Sequence, residues 1–176
     1  MTYLVTGCAG FIGFHTAVRL LKQNKKVVGI DSINNYYSVL IKADRLKILR
    51  SFKNFYFFKI DLKNVQKKLI NIFKKYQIKK VIHLAAQAGV RYSIENPGEY
   101  IKSNLIGFFN IIDVAAKSKI KHFVYASTSS VYGNIKNFPL KEEMGCNKPI
   151  QLYAATKKSN ELIAHSYSYI HKLQTT

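Results

Sequence analysis

The chain has 176 residues, with 28 Lys and Arg against 9 Asp and Glu, a net charge of +19, and 48% apolar residues. That length suits one domain with a sizeable core, and the composition excludes a disordered or fibrous chain. The longest apolar run, 105–116, holds Asn110 and Asp113 and falls short of the ~18 residues that span a bilayer, and no basic leader precedes it, so a cytoplasmic protein without a membrane partner is expected.

Apolar, β-rich runs alternate with helix-period segments along the whole chain. A strand is predicted over 3–6, then a helix over 11–22 with Ile12, Ala17, Leu20 and Leu21 available to pack. A second strand over 27–30 precedes a helix over 38–50 carrying Leu40, Ala43, Leu46 and Leu49. A third strand over 55–59, a helix over 65–76 and a fourth strand over 80–84 follow. A long helix over 99–116, a fifth strand over 122–126 and a last helix over 152–171 complete the series. Strands that alternate with helices define an α/β fold with a doubly wound parallel sheet. The runs "YLVT", "KVVGI" and "KVIHL" are apolar without alternation, as strands covered on both faces must be. Five strands are one short of a full dinucleotide-binding sheet, so the fold is expected to be incomplete on its C-terminal side and to expose the edge of its fifth strand.

The first strand runs into Gly7, Gly10 and Gly13 and then opens a helix. Such glycines permit a tight turn, let a pyrophosphate approach the backbone, and let helix and strand pack closely, while the first helical amides face the anion. The acid Asp31 ends "VVGID", 18 residues beyond Gly13. A carboxylate there accepts hydrogen bonds from ribose hydroxyls and repels a 2′-phosphate, and no Arg or Lys occurs from Ser32 to Val39. NAD is therefore expected over NADP. Asp31 could instead serve as a turn former or helix cap.

Further on, "YAATK" places Tyr153 and Lys157 four apart, on one face of a helix. A nearby ammonium favours phenolate, which suits proton abstraction from a sugar hydroxyl; chance spacing in a chain rich in Tyr and Lys is the alternative. The loop "ASTSSVYG" follows the fifth strand, at the end of a parallel sheet where ligands bind, and its hydroxyls could orient a substrate or merely cap. The five histidines lack metal-ligand spacing, so no metal is expected. Cys8 and Cys146 fit a reducing compartment and imply no disulfide framework. The positive charge lies in scattered lysine pairs without an arginine-rich or aromatic stripe, so no specific nucleic-acid partner is expected, although weak salt-sensitive binding could follow from charge alone.

With these features in this order, the chain resembles the extended short-chain dehydrogenase/reductase family, a Rossmann-like fold, and within it the nucleotide-sugar epimerases and dehydratases. The motifs are "TGCAGFIG", "VIHLAAQAG", "YASTSSVYG" and "YAATKKSNE", and they span essentially all 176 residues. "GFIGFH", "INNYYS" and "QAGVRYSIENP" further resemble bacterial UDP-glucuronate 4-epimerases. The resemblance implies an NAD-dependent isomerase acting on a UDP-sugar by transient oxidation at C4. It implies catalytic roles for Tyr153, Lys157 and Thr128. It places Gly7, Gly10, Phe11, Ile12, Gly13, Asp31, Asp61, Leu62, Leu84, Ala85, Ala86 and Gln87 on the cofactor, with Tyr153 and Lys157 beside them. Ser127 and Ser129 would adjoin the substrate, as would Arg91 unless a salt bridge holds it, and Asn104 would be structural. Residues 1–176 would form the NAD-binding domain, without the C-terminal substrate domain of complete members. A truncated remnant that binds NAD without catalysis, or a relative with another sugar specificity, are the alternatives. Family members often dimerise through the long helices after the fourth and fifth strands, which leaves a homodimer open.

Overall fold

A computed structural model describes residues 1–136 and 138–176, apart from the side chain of Asn64. Five strands form one parallel sheet: β1 (Thr2–Thr6), β2 (Lys26–Asp31), β3 (Phe55–Lys59), β4 (Ile78–His83) and β5 (His122–Tyr125), in the order β3-β2-β1-β4-β5. Leu4 of β1 stands level with Val28 on one side and Val81 on the other, and all three are fully buried. Helices α1 (Phe11–Lys22) and α2 (Val39–Arg50) cover one face, where Val5, Val27 and Phe55 meet Ala17, Leu21, Leu46 and Leu49. On the other face lie α3 (Gln66–Tyr76), α6 (Gly107–Lys117) and α7 (Leu152–His171), whose Leu69, Phe108, Ile111 and Ala164 pack on Leu4, Val28 and Phe123. The doubly wound sheet expected from the alternation is therefore present. Strand order reverses between β1 and β4, which opens a crevice above their carboxyl ends.

The structure departs from the sequence reading in four places. The helix expected over 99–116 is a series: α4 (Val90–Glu95) and α5 (Pro97–Tyr100) lead into a π-helical segment, Ile101–Ile106, and then α6. A π segment carries one extra residue per turn and often marks a functional site; apolar periodicity does not reveal it. In α2 the buried stripe is Lys42, Leu46 and Leu49, so Leu40, 77% exposed, and Ala43 point to water. In α1, Ile12 is likewise 62% exposed, because the close approach of helix to strand falls on Gly13 instead. Finally, the edge of β5 is covered. After α7 the chain turns at Lys172, buries Leu173, and lays residues 174–176 along β5. Phe123 N donates to Gln174 O at 2.8 Å, Thr176 N to Phe123 O at 3.0 Å, and Tyr125 N to Thr176 O at 3.0 Å.

Candidate active site

The crevice between β1 and β4 holds a cavity of about 360 Å³, lined by Gly7, Gly10, Asp31, Asp61, Leu62 and residues 84–87, among others. Gly7 sits at φ +68°, and a β-carbon there would press on the Leu84–Ala85 backbone. One on Gly13 would collide with the Gly7 carbonyl oxygen. The turn is thus closed to side chains for steric reasons. Phe11 and Ile12 open α1 but are largely exposed and outside the lining. Cys8 is fully buried beside Gly29, and burial pushes its thiol up, so it packs as a small apolar residue.

Of the two uses foreseen for Asp31, the structure shows the turn-forming one. Asp31 faces the cavity, and its carboxylate accepts from Ala9 N (Oδ2, 3.0 Å) and Ile33 N (Oδ1, 2.9 Å), tying the glycine turn to the loop after β2. Asp61 caps the short 3₁₀ turn Leu62–Asn64 through Lys63 N and pairs with Lys63 Nζ at 3.5 Å, which also meets Glu99 at 2.8 Å.

Thr6 fixes the loop after β4. Its Oγ1 accepts from Leu84 N and Ala85 N, both at 3.1 Å, which uses both lone pairs; its hydroxyl proton therefore goes to His83 Nδ1 at 2.8 Å. His83 is consequently the neutral Nε2–H tautomer. Burial, with the Lys157 charge second, holds its pKa down to about 3. Further along the loop, Asn104 of the π segment grips Gln87 from both sides: its Oδ1 accepts from Gln87 N at 2.8 Å and its Nδ2 donates to Gln87 O at 3.0 Å. The same Nδ2 reaches Thr156 Oγ1 on α7 at 3.1 Å. The extra residue of the π turn thus places one amide between the cavity wall and the helix that carries Tyr153.

Tyr153 and Lys157 lie on one face of α7, beyond the cavity lining, with Lys157 only 3% exposed. Burial drops the Lys157 ammonium to about 8 and raises the Tyr153 phenol, while the Thr128 hydroxyl works the other way on the phenol. The lowering of Tyr153 expected from Lys157 is not found: the phenol is raised by burial, and the group that opposes the rise is Thr128. Thr128 also caps the 3₁₀ turn Ser129–Tyr132 by accepting from Ser130 N at 3.2 Å. Ser127 donates to Glu161 Oε1, and Glu161 pairs with Lys158 at 2.9 Å, so that hydroxyl is engaged within the protein. Ser129 is exposed. Arg91, near the start of α4, is exposed and makes no ion pair among the described residues, which removes the salt bridge weighed for it.

Several residues lining the cavity escaped the sequence reading. Lys42 reaches it from α2, donating to Asn34 O and Oδ1, both at 2.7 Å, and standing 4.4 Å from the centre of the Tyr37 ring. Lys42 lies three residues beyond the cation-free stretch from Ser32 to Val39. Tyr36 packs on Tyr92 with ring centres 5.0 Å apart, so the loop after β2 touches α4. The quoted "INNYYS" could have flagged these tyrosines; Lys42 leaves no local signal, because only the helix phase brings it inward.

A glycine-closed turn, an acid ending β2 and a cavity at the switch point define a dinucleotide-binding protein of the doubly wound class. The chain belongs to the family described as GDP-mannose 4,6 dehydratase, which matches residues 4–176. It is 51% identical over 176 residues to Protein CapI of Staphylococcus aureus, covering 100% of this chain and 52% of that protein. It is 44% identical over 171 residues to the UDP-glucuronate 4-epimerase of Thermodesulfobacterium geofontis, covering 97% of this chain and 52% of that one. The crystal structure of UDP-glucuronic acid 4-epimerase from Bacillus cereus, in complex with UDP-glucuronic acid and NAD, superposes with a TM-score of 0.92 at 32% identity, over 100% of this chain and 55% of that one. The chain thus spans about half the length of the curated relatives it matches.

Proposed function

We propose that the chain is the cofactor-binding half of an NAD-dependent nucleotide-sugar 4-epimerase of the UDP-glucuronate type. The observation that carries this is the junction at Asn104, which ties the wall of a dinucleotide cavity to the helix bearing Tyr153 and Lys157. The cavity suits NAD on its own chemistry. Asp31 ends β2 for the ribose, glycines leave the backbone bare for the pyrophosphate, and Gln87 brings a buried Nε2 donor without a partner among the described residues. Bound there, NAD would supply a reversible hydride acceptor for C4 of the sugar. Tyr153 would take the proton of the 4-hydroxyl, Lys157 would hold the developing phenolate charge, and Thr128 would share the proton. Ser129 and Arg91, both exposed, remain free to meet the substrate. Reduction of the 4-ketone on its other face would invert the centre.

Relatives with known epimerase names are about twice as long, so the expected behaviour of residues 1–176 is NAD binding with little or no turnover. Titration calorimetry with NAD and a UDP-glucuronate turnover assay on the same folded sample check both parts. Absence of NAD binding would remove the cofactor assignment, and robust turnover would show that these residues suffice. In that event Tyr153→Phe should abolish activity with the fold intact.

A further inference from the structure

The parallel sheet sorts most acids by strand direction, while cations such as Lys42, Lys63, Lys141 and Lys148 share the cavity side with them. Asp31, Asp61, Glu95, Glu99, Glu142 and Glu143 all follow the carboxyl ends of strands, on the side of the cavity. At the opposite end Lys22, Arg50, Lys75 and Lys117 occupy the last turns of α1, α2, α3 and α6, all exposed. Asp113 is the one acid in the second half of any of these helices, and Lys117 pairs with it at 2.8 Å. Helix dipoles favour bases at these positions. They do not account for Lys26, Lys53, Lys79 and Lys121, which are exposed at the entries to β2, β3, β4 and β5. Backbone pairing sets these turns side by side: Lys121 N donates to Lys79 O at 2.7 Å, and Asn54 Nδ2 to Lys25 O at 2.6 Å. Strands lie about 4.8 Å apart, so Lys53 and Lys26 form one pair and Lys79 and Lys121 another along the same edge, on either side of the lysine-free entry to β1.

We infer that this lysine edge docks the protein peripherally on an anionic phospholipid surface, leaving the cofactor cavity turned to solvent. Charge complementarity is the first support, because lysines close to an anionic leaflet each add to attraction. A second is a shallow cleft of about 440 Å³ at the same end, where Lys74 and Lys79 flank the 48% exposed Ile70 over the buried Phe73 and Ile78, so that one apolar side chain stands between cations. Nucleic acid fits less well. Lys26 and Lys75 lie over the ring of Tyr76, which could otherwise stack on a base. No helix among the described residues is long and apolar enough to cross a membrane; the expectation of no membrane partner rested on spanning segments, and surface docking by the lysines would revise it.

The test is co-sedimentation of the whole chain with vesicles of phosphatidylcholine alone or with about 30 mol% phosphatidylglycerol, at about 0.1 M salt and above. Binding is expected to the anionic vesicles alone and to weaken steeply with salt. Lys79→Glu with Lys121→Glu should reduce it about tenfold or more. Lys141→Glu with Lys148→Glu, equal in charge but on the cavity side, should leave most of it. If the first pair fails to fold by circular dichroism, Lys53→Glu with Lys119→Glu replaces it. Equal losses from both pairs would reduce the effect to net charge and overturn the inference. So would binding to neutral vesicles, or duplex DNA binding tighter than the anionic vesicles at the same salt.

Discussion

Burial drives both members of the Tyr153–Lys157 pair toward their neutral forms, raising the phenol and bringing the ammonium down to about 8. No carboxylate pairs with Lys157 among the described residues. A lysine whose folded pKa lies below its unfolded value of 10.5 carries a penalty that is fully present below about pH 8 and is relieved as pH rises toward 10.5. Lys157→Met should therefore be the more stable protein at pH 7, by up to about 3 kcal/mol, with the gap closing on the alkaline side. Chemical unfolding of both proteins from pH 7 to about 10 measures it. A flat difference would mean that Lys157 is already neutral or well solvated. Such a cost, retained in a buried position on the helix face it shares with Tyr153, is what a functional role predicts. The turn-forming use of Asp31 was legible in the sequence, because its place at the end of a strand fixes which backbone amides its oxygens can reach. The hydroxyl of Ser127 was not, since its partner Glu161 is 34 residues away and becomes a neighbour only when α7 packs beside β5.

The π segment Ile101–Ile106 is the element on which the site turns. Replacing Asn104, 1% exposed, by Ala would strand Gln87 N and Gln87 O and take one of two partners from the Thr156 hydroxyl, which still donates to Tyr153 O at 2.7 Å. A loss of about 2–4 kcal/mol in urea unfolding is expected, with weaker NAD binding, because residues 84–87 lose their tether. Asn104→Ala stability within about 0.5 kcal/mol of the parent would show that the clamp is dispensable. Strands and simple helices could be read from apolar runs, since a two-residue or 3.6-residue period repeats through each. The π turn could not, because it differs from an α-helix by one hydrogen-bond register over six residues. The phase of α2 was misjudged for a related reason. Lys42 is inside because its ammonium finds Asn34 and the Tyr37 ring, contacts made across a loop that apolar counting ignores.

At the scale of the molecule, the alternation of strands and helices was enough to name a doubly wound parallel sheet, but not the order β3-β2-β1-β4-β5 in full detail at its edge. The cover on β5 is made by Gln174, Thr175 and Thr176, too short a run to read as a strand although threonine favours one, and is dictated by the turn at Lys172 and burial of Leu173 at 3% exposure. Removing residues 174–176 should leave the fold and NAD binding in place while baring a strand edge, so light scattering at rising concentration should show association that the parent lacks. Equal behaviour of the two would mean that the edge is protected by other means. The grip of Asn104 on Gln87 also has a consequence in time. A loop amide ordinarily exchanges with deuterated water quickly, but the Gln87 N–H is closed by a side chain rooted in the core. Its exchange should keep pace with amides of α6 and α7 rather than with those of neighbouring loops, so that the cavity wall and the helix bearing Tyr153 open, when they open, as one.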